Sequence, residues 1–159
     1  MTHGVSIRPA TISDILFLMH LETRFPPGDQ ISMRSWRRFL SREGCVQIAE
    51  SADGALGAVV VLVRKGGQTA RIYSLAVDET AQGRGAGRHL VEAAINYAAR
   101  AGCSRVSLEV RPDNDPARAL YRKCGFVERG VKPEHYADGT SALVMDRAVP
   151  RGPAETLEQ

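Results

Sequence analysis

A glycine-rich segment, Gln82-Gly83-Arg84-Gly85-Ala86-Gly87-Arg88, stands between a strand-like run, Ile72 to Val77, and a helical run that starts near Arg88. Glycine lets a backbone approach a ligand closely and reach angles other residues avoid. A helix N-terminus behind such a loop adds free N–H groups and the positive end of its dipole. Strand, glycine loop and helix together read as a phosphate cradle, and three loop patterns compete for it. A P-loop closes on Gly-Lys-Ser/Thr, whereas this one closes on Gly87-Arg88-His89. A dinucleotide loop is spaced G-x-G-x-x-G, with an acidic residue about 20 positions on. Here the spacing is G-x-G-x-G, and Glu109 falls in mid-strand, 22 residues after Gly87. A third pattern, Gln/Arg-x-x-Gly-x-Gly/Ala, is met by Gln82, Gly85 and Gly87.

Three further residues carry usable chemistry. In Val106-Ser107-Leu108-Glu109-Val110 the alternation sets Glu109 on the face opposite Val106, Leu108 and Val110. It reads either as a surface carboxylate paired with Arg71 or Arg111, or as a general base. Tyr121 shares a helix face with Ala117, Leu120 and Cys124, and reads either as a core aromatic or as a proton donor. Asn114 stands where the same helix needs an N-cap.

The elements that must position these residues follow from pattern. Val5 to Arg8 alternates as an edge strand ended by Pro9. Thr11 and Asp14 resemble a capping box for a helix reaching Thr23, with Ile12, Ile15, Leu16, Met19 and Leu21 mostly on one face. Phe25-Pro26-Pro27-Gly28-Asp29 breaks it, and Ser32 caps a second helix to about Ser41 that buries Trp36, Phe39 and Leu40. Val46 to Glu50, Leu56 to Val63 and Ala70 to Val77 read as three antiparallel strands in series, the first two joined by an Asp53-Gly54 turn. The helix from Arg88 to Arg100 turns Leu90, Val91, Ala94, Ile95 and Ala98 inward. Arg105 to Val110 is a strand, Asp113 to Lys123 a helix stopped by Gly125, and Phe126 to Val131 and Ser141 to Arg147 the last strands. The layout is mixed α/β. A mostly antiparallel sheet of about seven strands carries one parallel βαβ pair (residues 70–110) and about four helices. Residues 5–148 form the expected single domain, and 149–159 the expected disordered tail.

Composition narrows the class. The chain has 159 residues, 43% hydrophobic and 25% charged, in the range of one globular domain. No apolar run reaches membrane-spanning length, and the N-terminus carries no secretory pattern. Cys45, Cys103 and Cys124 are too few and too scattered for a disulfide framework, which points to the reducing cytoplasm. The four His residues show no ligand spacing, so no metal is expected. Arg34, Arg37, Arg38 and Arg42 read as a solvated helix face or as a patch for an acidic partner or RNA; no nucleic-acid motif accompanies them.

The loop together with Ser74-Leu75-Ala76-Val77, Leu108-Glu109-Val110-Arg111, Asn114 and Ala119-Leu120-Tyr121 through Cys124-Gly125-Phe126 resembles the GNAT superfamily of acyl-CoA-dependent N-acyltransferases. The resemblance covers about residues 5 to 148 and is densest from 72 to 146. Within the superfamily the chain looks like the ribosomal-protein alanine N-acetyltransferases and their relatives. The resemblance implies acetyl-CoA as co-substrate, in a splay between the strands near 72–77 and 105–110. Backbone groups of Leu75, Ala76 and Val77 and the side chain of Asn114 would meet its pantetheine arm. Gln82, Gly83, Arg84, Gly85, Ala86, Gly87 and Arg88 would hold its pyrophosphate. Glu109 would deprotonate a primary amine, directly or through water, and Tyr121 would protonate the departing thiolate, with no covalent intermediate on Cys124. A carboxylate fits an α-amine better than a lysine-like amine, which holds its proton more tightly. The expected acceptor is therefore a protein or peptide N-terminus, with lysine side chains and small-molecule amines as alternatives. A CoA-binding regulatory domain without turnover is the rival from another class. His135 and Tyr136 match an aromatic pair beside the acceptor in the alanine-acetylating relatives, with His in first place here. Ser74, where those relatives have Asn, and the segment from Phe25 to Gln30 depart from their pattern. A homodimer is common among such families.

Overall fold

Short β-branched runs separated by glycine turns pair into one sheet. The computed structural model describes residues 4–150 of the chain. The strands are β1 (Ser6–Pro9), β2 (Val46–Ser51), β3 (Gly54–Val63), β4 (Thr69–Val77), β5 (Arg105–Val110), β6 (Val127–Lys132) and β7 (Ala142–Ala148). Their order is β1-β2-β3-β4-β5-β7-β6, antiparallel throughout except for the parallel β4–β5 pair. The helices are α1 (Ile15–Glu22), α2 (Met33–Leu40), α3 (Ala86–Arg100) and α4 (Asp115–Lys123). This is the mixed α/β layout the patterns predict.

Each face of the sheet carries its own core. On one face α3 buries Leu90, Val91, Ala94, Ile95 and Ala98 against Val59, Val61, Ile72, Val106 and Leu108. On the other, α1 and α2 bury Leu18, Leu21, Trp36 and Phe39 against Ile48, Ala58, Val60 and Ala76. The expected face of α1 is corrected. Leu18 is buried, while Leu16 is 78% and Ile12 60% exposed. The sequence Ile-Leu-Phe-Leu-Met-His-Leu-Glu is apolar nearly all round. Its periodicity therefore cannot choose a side, and contact with the sheet does. The basic cluster on α2 and just after it (Arg34, Arg37, Arg38, Arg42) lies in solvent.

Several boundaries also shift. The β2–β3 turn falls on Ala52 and Asp53, with Gly54 already in the strand. A short 3-10 turn, Ile12–Asp14, precedes α1, and the Asp14 carboxylate accepts from the Thr11 N–H at 2.8 Å. Helix α3 begins at Ala86, so the last three residues of the glycine segment belong to its first turn. Val149, placed in the tail by composition, donates to Ser104 O at 2.8 Å and packs on the core. Residues 151–159, the rest of that tail, lie outside the described residues. No helix among the described residues is long and apolar enough to cross a membrane.

Two features of β4 prepare the site. The register against β3 shifts between Val60 and Val61, so Val60 faces Ser74, Val61 faces Ile72, and Tyr73 is an extra residue. This bulge turns both Tyr73 and Ser74 to the α1/α2 face, where Tyr73 meets the Phe39 ring at 5.5 Å. The second feature is that β4 and β5 pair only from Thr69↔Arg105 to Ile72↔Leu108, and then part. Beyond that point β4 is held from one side alone, by β3. There Gly57 lies so close that a Cβ would sit 2.6 Å from Ala76 O and 3.0 Å from Val77 Cα. Gly57→Ala is therefore expected to push β4 outward at a cost of about 1–3 kcal/mol. In a thermal melt each kcal/mol should appear as about 2–4 °C; an unchanged Tm would show that β4 yields there freely.

Candidate active site

The parting of β4 and β5 leaves backbone groups without a neighbour. Asp78 N–H donates to Leu56 O at 2.7 Å, closing the β3–β4 ladder. Pairs alternate along an antiparallel ladder, so Ala76, opposite Ala58, is the next bonded position. Leu75 and Val77 consequently aim their N–H and C=O groups away from β3, into the gap. The Val77 carbonyl accepts there from the Arg24 guanidinium. Ala76 itself is buried on the α1/α2 face.

A cavity of about 410 Å³ occupies this gap, and it is lined from both faces of the sheet. Tyr121, Ala117 and Asn114 enter from α4 and its N-cap, on the α3 side. Glu109, Arg71 and Glu22 enter from the opposite side. Leu75 lines it, whereas Ala76, Val77 and residues 82–88 do not.

The local chemistry of α4 accounts for the position of Tyr121. Asn114 caps the helix, its side chain accepting from Ala117 N–H at 3.2 Å. At the other end Gly125 (φ +93°) closes a Schellman turn: Phe126 N–H donates to Tyr121 O at 2.9 Å and Gly125 N–H to Arg122 O at 3.0 Å. The apolar contact that accompanies such a turn is Tyr121 on Phe126, with ring centroids 5.7 Å apart. Burial pushes the Tyr121 phenol well up, so it holds its proton at any working pH. Cys124 lies outside the cavity, and burial raises its thiol, the wrong direction for a nucleophile.

Glu109 stands on the face its strand pattern predicts, but it is not a surface carboxylate, since its side chain is 9% exposed. Its Oε1 accepts from Arg71 Nε at 2.8 Å and meets Arg71 Nη2 at 2.7 Å; Lys132 Nζ is 3.6 Å from Oε2. Of the two expected partners, Arg71 is therefore the one used. Arg111 turns instead to Asp29 (2.7 Å) and Asp138 (3.1 Å), with its guanidinium 4.1 Å above the Tyr136 ring. Asp29 also accepts from Ala137 N–H at 3.0 Å. Arg111 thus clasps the 25–31 loop to the 133–141 loop across the cavity mouth. At this seam Gly28 sits so close to Ala137 that a Cβ would lie 2.6 Å from the Ala137 Cβ. His135 and Tyr136 both line the cavity; burial lowers the His135 imidazole and pushes Tyr136 up to about 12, so both are neutral at pH 7.

Sequence reasoning missed Glu22 and the Arg111 clasp. Glu22 is 3% exposed and lines the cavity. It lies four residues after Leu18, but the nearly all-round apolar α1 does not mark that stripe as the buried one, so no local signal points to it. The clasp joins residues 82 and 108 positions apart, which no local pattern reveals.

The glycine segment forms a second patch, at the N-terminus of α3. Gly83 (φ +89°) and Gly85 (φ +79°) are left-handed, and a Cβ at Gly83 would meet nothing within 4 Å. Gly85 occupies the N-cap position, and no side chain caps the helix, so its first-turn N–H groups stay free. Arg84 lies 3.9 Å from Asp53 and Arg88 3.2 Å from Glu92, and both carboxylates are largely in solvent. Among the described residues no group of His, Cys, Asp and Glu could hold a metal.

A family model described as "Acetyltransferase (GNAT) family" matches residues 12–126. Glucosamine 6-phosphate N-acetyltransferase 1 of Oryza sativa is 31% identical over 140 residues, covering 79% of this chain and 83% of that protein. The N-alpha-acetyltransferase RimI of Mycobacterium tuberculosis is 43% identical over 77 residues, covering 48% of this chain and 47% of that one. Among solved structures, Ard1 from Thermoplasma volcanium superposes with a TM-score of 0.80 at 27% identity, covering 92% of this chain and 99% of that one. The chain spans 40% and 49% of the length of two further curated relatives it matches.

Proposed function

This chain belongs to the GNAT acetyltransferase family, and from that premise we propose that it transfers an acetyl group from acetyl-CoA to a primary amine, with a protein or peptide N-terminus as the favoured acceptor. The observation that carries the reading is the gap beyond Ile72 and Leu108. There β4 runs on to Val77, which lies beside Gly87 in the first turn of the uncapped α3, and the cavity of the gap holds a phenol from one face of the sheet and carboxylates from the other.

The residues present fit acetyl-CoA. Leu75 offers extended-chain hydrogen bonds to a pantetheine arm, with Asn114 beside it, while the Val77 carbonyl is held by Arg24. The N–H groups of residues 83–88, reinforced by the α3 dipole, suit a pyrophosphate. The bound thioester supplies an activated acetyl carbon, and the chain does the rest. Val77 N–H faces the gap, where it can stabilise an oxyanion. Tyr121, protonated at rest, hydrogen-bonds to a departing thiolate and hands it the proton. A carboxylate on the α1/α2 face, Glu109 in the family-based reading, takes the proton of the amine. The clasped loops narrow the mouth above, which suits a chain end entering amine-first. A cytoplasmic location is part of this reading, supported by three free and scattered cysteines that suit a reducing compartment.

The likeness to a glucosamine 6-phosphate N-acetyltransferase supports a small-molecule amine as the second reading of the acceptor. The test is thermal shift with acetyl-CoA, CoA and NAD, followed by release of CoA thiol over a panel of free-amine peptides, polyamines and amino sugars. Stabilisation by acetyl-CoA and turnover of peptides are expected. Stabilisation without any thiol release marks a binding domain, and stabilisation by NAD alone defeats the reading.

A further inference from the structure

We infer that Glu22, rather than Glu109, is the group that takes the proton from the acceptor amine. The inference rests on the transferase reading above and deepens it by reassigning one role.

The two carboxylates line one cavity but differ in what already occupies them. Glu109 has Arg71 on Oε1 at 2.7 Å and Lys132 near Oε2 at 3.6 Å, so a proton arriving there must break ion pairs. Glu22 is more deeply buried, and its partners are neutral: Ile31 N–H donates to Oε1 at 2.7 Å, and Ser74 Oγ approaches Oε2 at 3.4 Å. Among the described residues no cation lies within ion-pair reach of it. The other charged groups of the cavity are engaged with each other, Arg71 with Glu109 and Arg111 with Asp29 and Asp138. Arg24, from the loop after α1, turns to Val77 O, and His20 on α1 pairs with Asp78. Burial also pushes the Glu22 carboxyl above its usual range, with Ile31 N–H and Ser74 offsetting part of the rise. A carboxylate nearer neutrality is the better proton acceptor at physiological pH.

Position agrees with this. Ser74 reaches Glu22 because the Tyr73 bulge turns it to that face, and Ser74 directly precedes Leu75, whose amide faces the gap. Glu22 takes one proton from the ammonium, and the freed lone pair forms the N–C bond. The C–S bond breaks with its electrons on sulfur. The second amine proton reaches the thiolate by way of the Tyr121 hydroxyl, and Glu22 returns its proton to solvent. Glu109 in this scheme is a positioning residue that holds Arg71 and Lys132 along the wall.

Glu22→Gln keeps an acceptor for Ile31 N–H and removes basicity, so it separates bracing from proton transfer. With a peptide bearing a free N-terminal amine, E22Q should lose about tenfold or more in kcat/KM at pH 7. It should recover toward wild type near pH 9, where an α-amine sheds its proton unaided. Glu109→Gln should lose efficiency while keeping the wild-type pH profile. Stability gives a readout independent of turnover. A carboxyl whose folded pKa is raised favours the folded state below its unfolded pKa, and that contribution is lost as pH rises through the folded value. The Tm of E22Q should therefore exceed that of wild type by more at pH 8 than at pH 5. E22Q as active as wild type at pH 7, or equally impaired at pH 7 and 9, overturns the inference, as does an E22Q that melts lower at every pH. A wild type that releases no CoA thiol with any panel amine defeats the transferase reading itself, and this inference with it.

Discussion

Gly85→Glu is expected to give a folded protein that acetyl-CoA no longer stabilises. Gly85 sits at φ +79° with open space around its Cβ position, the nearest atom being His89 Nδ1 at 3.9 Å. A side chain fits sterically there but strains the backbone by about 1–3 kcal/mol. The glutamate also brings a negative charge to the uncapped end of α3, where its carboxylate competes with a pyrophosphate for the same N–H groups. Acetyl-CoA at 100 times its Kd should stabilise the wild type by about 2.7 kcal/mol, several degrees of Tm. The variant should show a lower Tm alone and no ligand-induced shift. Gly85→Ala isolates the strain: its Tm should fall, while a ligand-induced shift remains. An undiminished shift in Gly85→Glu would remove the loop from the binding site.

Tyr121→Phe is expected to lower kcat by about a hundredfold, at the low end of what general acids contribute. The leaving thiolate corresponds to an acid of pKa near 8.5, so it departs with some help from solvent. The ring packs on Phe126 through the Schellman turn that ends α4, and phenylalanine preserves that contact. Stability and acetyl-CoA affinity should therefore stay near wild type, and the loss should appear in kcat rather than KM. A fall in Tm with unchanged kcat would make Tyr121 a core aromatic and nothing more.

The fold was legible wherever local physics is strong. Glycine turns, β-branched runs and the apolar stripe of α3 each bias a short segment without help from the rest of the chain. Asn114 and Gly125 are cap residues at the two ends of one helix, and both act as caps. Where local bias is weak, pattern and structure differ. The all-round apolar α1 carries no direction, so the pattern turns Leu16 inward where the structure buries Leu18. Glycines argue against helix and put the start of α3 at Arg88, yet Gly85 and Gly87 lie in or next to its first turn.

The same division runs through the site. The sequence alone determined that strand, glycine loop and helix stand in series, that Glu109 lies opposite the core face of β5, and that Tyr121 shares a helix face with Ala117 and Leu120. These follow from spacing along the chain, where repeats of 2 and 3.6 residues fix direction. Which groups meet is set by the tertiary structure. The end of β4–β5 pairing at Ile72 and Leu108 opens the sheet, so a phenol from one face shares a cavity with carboxylates from the other. It also decided that Arg71 rather than Arg111 holds Glu109, that Arg111 joins two distant loops, and that Glu22 is buried with no cation paired to it among the described residues. Ion pairs and burial depend on distances between segments dozens of residues apart. Such distances are set by the packing of the whole sheet and its helices, and no local run of sequence encodes them.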